Sequence, residues 1–166
     1  AGFGISLMCA CDLAIASDDA YFSTAYRQIG LTPDGSGTWS LPRVVGPRKA
    51  MELVLLSPRL DASEALRIGL VNRVVRTAEL DTAVDAVTRS LASGPALALR
   101  NARRLLRGSL DHTLSQQLDA EAASIAQCAG TDDFVEGITA FLEKRARALP
   151  FVVRRREQTE GGRLGR

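Results

Sequence analysis

The chain reads as an α/β front half that runs into an all-helical back half. Three observations predict this. Short apolar or alternating runs bounded by turn residues (Leu13 to Ala16, Tyr21 to Ser23, Leu70 to Val75) occur only in the first 76 residues. From Thr77 onward the apolar residues recur at helical spacing instead. The front strands are also too few to build a self-sufficient sheet, so strands from before Ala1 are expected to complete it. The expected organisation is an α/β core with a turn-rich loop over 1–76, a helical region over 77–148 and a disordered basic tail over 149–166.

Gly2 and Gly4 flank Phe3 and lead into the small apolar run Ile5 to Ala10, which predicts a glycine turn and a short buried helix ending near Cys11 and Asp12. Leu13 to Ala16, closed by Ser17-Asp18-Asp19, suits a buried strand, and Tyr21-Phe22-Ser23 resumes extended structure. After the loop Ile29 to Thr38, a short helix starts near Gly37. Pro47 sits well as the first residue of a helix through Leu56, with Ala50, Met51, Val54 and Leu55 as its apolar stripe. Asp61 and Glu64 have capping-box spacing, and Gly69 ends the helix they open.

Leu70 to Val75 alternates enough for a strand; Thr77 then caps a helix sharing Leu80, Ala83, Val84, Val87 and Leu91 on one face. Gly94-Pro95 stops it. A helix over 96–107 carries Arg100, Arg103, Arg104 and Arg107 on a solvated side, and one over 113–129 is expected to bury Leu114, Leu118 and Ile125. Thr131 caps a last helix reaching Ala146, with Phe134, Ile138, Phe141 and Leu142 at helical spacing. The Arg154-Arg155-Arg156 run and Gly161-Gly162 point to disorder beyond Pro150.

Bulk properties exclude some functions. A net charge of +2 over 166 residues, with most of the excess in the tail, argues against nucleic acid as a partner. The three cysteines, Cys9, Cys11 and Cys128, lack zinc or disulfide spacing, and Cys9 and Cys11 fall in a segment expected to be buried; a reducing, cytoplasmic setting follows. No run approaches the ~18 apolar residues of a membrane span, and no signal-peptide pattern is visible. The opening Ala1-Gly2-Phe3-Gly4-Ile5 is already core-like, so the chain is expected to continue a longer subunit.

Asp34 is the residue of greatest chemical interest. Pro33 fixes its own φ and biases Thr32 towards extended geometry, while Gly35 and Gly37 permit approaches that side chains forbid, so this carboxylate is held in a constrained turn. Two readings stand open: a helix cap or Asx turn, or a functional acid. Gly2-Phe3-Gly4 is likewise either a tight strand-to-helix turn or a binding turn. It does not match a dinucleotide fingerprint, because Leu7 stands where the third glycine belongs. His112, the single histidine, has no evident acid or serine partner and reads as a surface residue.

Taken together, Gly2-Phe3-Gly4-x-x-Leu7, Cys11-Asp12-Leu13-x-Ile15-Ala16 and Gly30-Leu31-x-Pro33-x-Gly35-x-Gly37-Thr38 resemble the enoyl-CoA hydratase/isomerase family, the crotonase superfamily. Leu41-Pro42-Arg43-x-Val45-Gly46, Ala62-x-Glu64-Ala65 with Gly69-Leu70-Val71, and Glu136-Gly137-x-x-Ala140-Phe141-x-Glu143-Lys144-Arg145 continue it in family order to about Ala148. The resemblance implies the later part of the ClpP/crotonase-like spiral fold, an α/β core followed by a helical trimerisation region. It also implies a thioester carbonyl held by two backbone N–H groups, one from Phe3 and one from a segment preceding this chain.

The two glutamates that family hydratases use map, without gaps, onto Ser6 and Tyr26, neither of which can replace them at neutral pH. Asp34 falls where isomerases of the family carry a single acid. Thr32-Pro33-Asp34-Gly35 with Thr38-Trp39-x-Leu41-Pro42 looks most like the branch that isomerises the ring-epoxide of phenylacetyl-CoA or shifts a Δ3 double bond to Δ2. An apolar surround from Leu31 and Trp39 would suit such a general base.

The resemblance thus implies an acyl-CoA isomerase of fatty-acid or phenylacetate metabolism, with Asp34 and the Phe3 N–H as catalytic groups. Gly2, Tyr26, Gly35, Phe141 and Lys144 become substrate-contact residues, the last two for the CoA adenine and phosphates. No metal or separate cofactor is implied, CoA entering with the acyl-CoA thioester substrate; the expected assembly is a homotrimer or dimer of trimers, without nucleic acid or membrane. Two alternatives remain, a hydratase (lyase) drawing an acid from the preceding segment, and a truncated or non-catalytic oligomerising relative.

Overall fold

The computed structural model describes residues 1–148; the basic tail expected over 149–166 lies outside the described residues. Contacts group the chain into two units that divide between Arg89 and Ser90. The first unit begins with helix α1 (Phe3–Ala10), strands β1 (Ile15–Ser17) and β2 (Tyr21–Phe22), and a 3-10 turn at Tyr26–Ile29. Helices α2 (Gly37–Val45) and α3 (Pro47–Leu56), strand β3 (Leu60–Asp61), helix α4 (Ala62–Arg67) and strand β4 (Arg73–Val75) follow.

The sheets are small, as the few strand signals predict. β1 pairs in parallel with β4 through Ile15–Arg73, Ala16–Val74 and Ser17–Val75, and β2 pairs antiparallel with β3 through Tyr21–Asp61 and Phe22–Leu60. Asn72 lengthens the parallel pair beyond its formal end: its N–H donates to Ala14 O and its Oδ1 accepts from Ala14 N, both at 2.8 Å. Ile5, Ala16, Phe22, Leu41, Leu53 and Leu70 belong to the core between these pieces. Thr24 locks β2 onto α3, for its buried hydroxyl donates to Leu53 O at 2.7 Å and lies 3.1 Å from Ser57 Oγ.

Helix positions follow the sequence closely, but coverage of their faces does not. α1 is apolar all round, and only Ile5 and Ser6 are buried; Leu7 and Cys11 are exposed, Cys9 is half-buried, and burial raises the Cys9 thiol pKa. α2 covers one side of that helix, and among the described residues its other side is left open. α3 starts at Pro47 and ends at Leu56 as predicted, yet Ala50 and Leu53 are its buried residues, while Met51 and Leu55 face outward. Its inward face is thus turned one position from the expected stripe.

Local hydrogen bonding revises two caps and one strand. Asp61 Oδ1 accepts from Glu64 N at 2.7 Å, but Glu64 turns to Arg67 with contacts of 2.6 and 2.7 Å, so half of the capping box forms. Thr77 is no side-chain cap. Its N–H and hydroxyl both donate to Asp18 Oδ1 at 3.1 Å, and a 3-10 turn at Thr77–Glu79 precedes helix α5 (Leu80–Ala92), none of whose residues is buried. β4 begins only at Arg73, because Leu70 and Val71 turn into the core with their N–H groups bonded to Ala65 O.

The second unit, taken by itself, holds α6 (Ala96–Gly108), α7 (Leu114–Ala129) and α8 (Asp132–Leu142). Thr113 and Gln116 close a complete capping box on α7, and Thr131 Oγ1 accepts from Phe134 N to cap α8. Leu114, Leu118 and Ile125, expected inside, are exposed; the α6–α7 seam instead buries Asn101, whose Nδ2 donates to Gln127 Oε1 at 3.2 Å, and Ser124 lies buried on α7. α8 stops at Leu142 rather than Ala146. Lys144 takes φ 53, and Arg145 folds back to clasp Glu136 at 2.6 and 2.9 Å.

Two measurements check this account. Thr24→Val keeps the shape but removes one of the two donors to Leu53 O, the Ser57 N–H remaining at 3.1 Å, so the unfolding free energy should fall by ~0.5–1.5 kcal/mol in a denaturant titration. Arg145, with help from the Ala148 N–H, lowers the Glu136 carboxyl from its ordinary 4.5 to about 2. A depressed carboxylate contributes above its ordinary value and stops contributing as pH falls through the folded one. Amide protection at the end of α8 should therefore be constant above pH 4.5 and decay towards pH 2, a decay absent in Glu136→Gln.

Candidate active site

Two glycines bring the α1 N-terminus and the Asp34 loop together. Gly2 has φ 56 and ψ −131, a turn that L side chains resist, and its N–H donates to Ser23 O at 2.9 Å. α1 therefore starts against the end of β2, with Phe3 as its first residue. The Phe3 N–H has no hydrogen-bond partner among the described residues, as expected at a first helical position. Gly35 has φ 55, and a Cβ there would stand 2.3 Å from Phe3 Cε2, so the ring of Phe3 rests on bare loop backbone. Gly37 is nearly as tight, since a Cβ would lie 2.5 Å from Ser6 Oγ.

The loop is shaped by a run of left-handed residues. Ala25 at φ 57 and Gly30 at φ 71 bracket the 3-10 turn, Leu31 N donates to Tyr26 O at 3.1 Å, and the chain doubles back over itself. Asp34 thereby meets Tyr26, whose phenol donates to Asp34 Oδ1 at 2.5 Å. That bond raises the Tyr26 pKa, with burial adding to the rise and the Ser6 hydroxyl opposing it.

The helix-cap reading of Asp34 does not hold. Ser36, at φ 70, is the N-cap of α2 without a side-chain capping bond, its hydroxyl lying 3.2 Å from Ser40 Oγ, and Asp34 contributes only its carbonyl to a turn closed by Gly37 N at 2.9 Å. The apolar surround also fails to close, for Leu31 is 61% exposed and Trp39 54%, Trp39 lying under the Arg43 guanidinium instead. The carboxylate is open to a ligand approaching from solvent.

Ser6 and Tyr26, distant in sequence, border one small cavity together with Gly2, Pro33 and Gly37; no residue lining it is a carboxylate. A second cavity of about 200 Å³, lined by Leu41, Pro42, Ala50, Met51 and Val54 among others, lies beside it and is apolar. Gly2, Phe3, Tyr26, Asp34 and Gly35 thus come together in the first unit. Phe141 and Lys144 belong to the second, where Phe141 is 80% exposed at the end of α8 rather than in a core stripe. His112 is exposed and bonded to Gln117, as expected of a surface residue. Among the described residues no three His, Cys, Asp or Glu side chains cluster as metal ligands, and no helix is long and apolar enough to cross a membrane. The Tyr26–Asp34 bond was not evident from sequence, because the kink at Ala25 that creates it occurs at a residue with no left-handed preference.

A family profile described as Enoyl-CoA hydratase/isomerase matches residues 1–149. A probable enoyl-CoA hydratase of Rhodobacter capsulatus is 39% identical over 145 residues, 87% of this chain and 56% of that protein. The 1,2-epoxyphenylacetyl-CoA isomerase of Escherichia coli is 36% identical over 146 residues, 88% of this chain and 56% of its own length. In three dimensions the chain is similar to an enoyl-CoA hydratase from a Polaromonas species, with a TM-score of 0.84 at 34% identity over 89% of this chain and 57% of that one. The chain therefore spans a little over half the length of these relatives.

The close approach at Gly37 is open to a double-mutant test. Gly37→Ala should destabilise the protein by ~1–3 kcal/mol through the clash with Ser6 Oγ. Adding Ser6→Ala removes the clashing atom and should recover most of that loss; a purely additive result in denaturation would show that the two sites do not touch.

Proposed function

The chain belongs to the enoyl-CoA hydratase/isomerase family, and within it we propose that these residues supply the proton-shuttling side of an acyl-CoA isomerase. The observation that carries the reading is the isolation of Asp34: it stands on the loop packed against the Phe3 turn, while the positions of both hydratase glutamates hold Ser6 and Tyr26 on the adjoining cavity.

Moving a double bond along an enoyl thioester requires removing a proton beside the carbonyl and returning one two carbons further on. One carboxylate can do both if it faces a single side of the substrate. Proton transfer by such a positioned group contributes about 10²- to 10⁴-fold in rate. Loss of the first proton moves negative charge onto the thioester oxygen, where the Phe3 N–H at the start of α1 is placed to donate. One preorganised donor of this kind is worth ~3–4 kcal/mol, and the helix N-terminus acts in the same direction. A partner donor comes from residues outside this chain. Coenzyme A arrives as part of the substrate; Gly2, Tyr26 and Gly35 line the acyl end, and Phe141 and Lys144 are candidates for its nucleotide end in a homotrimer.

A hydratase is the second reading, favoured by the similarity to the Rhodobacter and Polaromonas enoyl-CoA hydratases. It needs a carboxylate from outside these residues, since neither Ser6 nor Tyr26 can deprotonate water.

The deciding experiment uses protein made from the complete reading frame and a 3-enoyl-CoA substrate. Asp34→Asn should lower kcat by about 10²- to 10⁴-fold while leaving the circular dichroism spectrum unchanged. Undiminished isomerisation by that variant would remove Asp34 from the mechanism. Water addition to a 2-enoyl-CoA would establish the hydratase reading, and no turnover by the wild type would mark a non-catalytic relative.

A further inference from the structure

We propose that Tyr26 is a positioning residue for Asp34, its phenol holding Oδ1 so that the other carboxylate oxygen takes the proton and returns it. The inference rests on the reading of Asp34 as the proton shuttle and extends it to a residue that touches the acid rather than the reacting carbons.

The 2.5 Å contact is at the short end of hydroxyl-to-carboxylate hydrogen bonds, which are about twice as strong as neutral ones. The phenol is itself well anchored. Tyr26 N donates to Thr24 O at 2.8 Å, and Thr24 is buried and bonded to Leu53 O, so the ring is tied through two residues to the core. Ser6, only 2% exposed, sits behind it on the same cavity. Asp34 stands on an exposed loop, where a carboxylate turns about its last torsion with little resistance. Without a clamp, either oxygen could face the substrate.

A shuttle that removes a proton from one carbon and delivers it to another on the same face gains from having one oxygen remain in place throughout. Holding the reacting atoms in position before the reaction is among the larger contributions a site can make. Tyr26 stands at the position of a hydratase glutamate, and the raised pKa of its phenol keeps it a proton donor to Asp34 rather than a second base. The site then has one base and one clamp where a hydratase has two acids.

Two readouts on protein from the complete reading frame test this. With 3-enoyl-CoA, Tyr26→Phe should lower kcat by about 10- to 100-fold, the loss expected for one charge-assisted hydrogen bond, with KM within about twofold. The phenolate absorbance of Tyr26, isolated as wild type minus Tyr26→Phe, should rise at a pH above the ordinary tyrosine value of ~10 and move down in Asp34→Asn. An unchanged kcat in Tyr26→Phe alongside an inactive Asp34→Asn would overturn the positioning role and leave the shuttle intact. A Tyr26 titration indifferent to Asp34 would overturn it as well. An active Asp34→Asn would bring down the shuttle, and the clamp with it.

Discussion

The candidate site depends on one close approach, that of the loop around Gly35 and Gly37 to the first turn of α1. A methyl group at either glycine would fall within 2.5 Å of a Phe3 or Ser6 atom, inside the closest distance that carbon tolerates. Two bare backbone positions therefore let an acid-bearing loop lie over a helix N-terminus. That helix end carries a partial positive charge and a first N–H without an internal partner, and the loop carries a negative charge.

The surrounding packing explains how so short a front unit holds that arrangement. β1 and β4 pair over three residues, and Asn72 extends the pairing by offering Ala14 both a backbone donor and a side-chain acceptor. β2 is followed by Ser23, whose carbonyl receives the Gly2 N–H, and by Thr24, whose hydroxyl is bonded to the last turn of α3. The start of α1 and the Tyr26 turn consequently hang from the same strand end. Tyr26 reaches Asp34 from one side and Phe3 lies against Gly35 from the other, so the carboxylate is exposed yet flanked by anchored groups.

Much of this was legible in the residues, and the reasons differ from case to case. Pro47 marked the start of α3 because its missing N–H costs nothing at a first helical position, and Gly94-Pro95 marked a break for the complementary reason. The glycines around Phe3 and Asp34 could be recognised as points of close approach. Coverage was less legible: the spacing of Leu114, Leu118 and Ile125 shows that α7 has an apolar face, not that anything in the described residues lies on it. α8 ends early at a left-handed Lys144, where Arg145 N returns to Ala140 O and the Arg145 side chain pairs with Glu136, a turn that periodicity does not encode. The Tyr26–Asp34 bond was hidden for a third reason, since it follows from left-handed geometry at Ala25 imposed by tertiary structure.

The most direct test of the lone-shuttle account is to run the protein from its complete reading frame on a 3-enoyl-CoA in deuterated water and read the isotope content of the product. A single carboxylate that carries the abstracted proton to its new carbon predicts a 2-enoyl product in which a fraction of molecules keep that original proton, with no water added. Delivery of hydrogen to the face opposite the one that lost the proton, or a hydrated thioester as the first product, would contradict it and require a second acid.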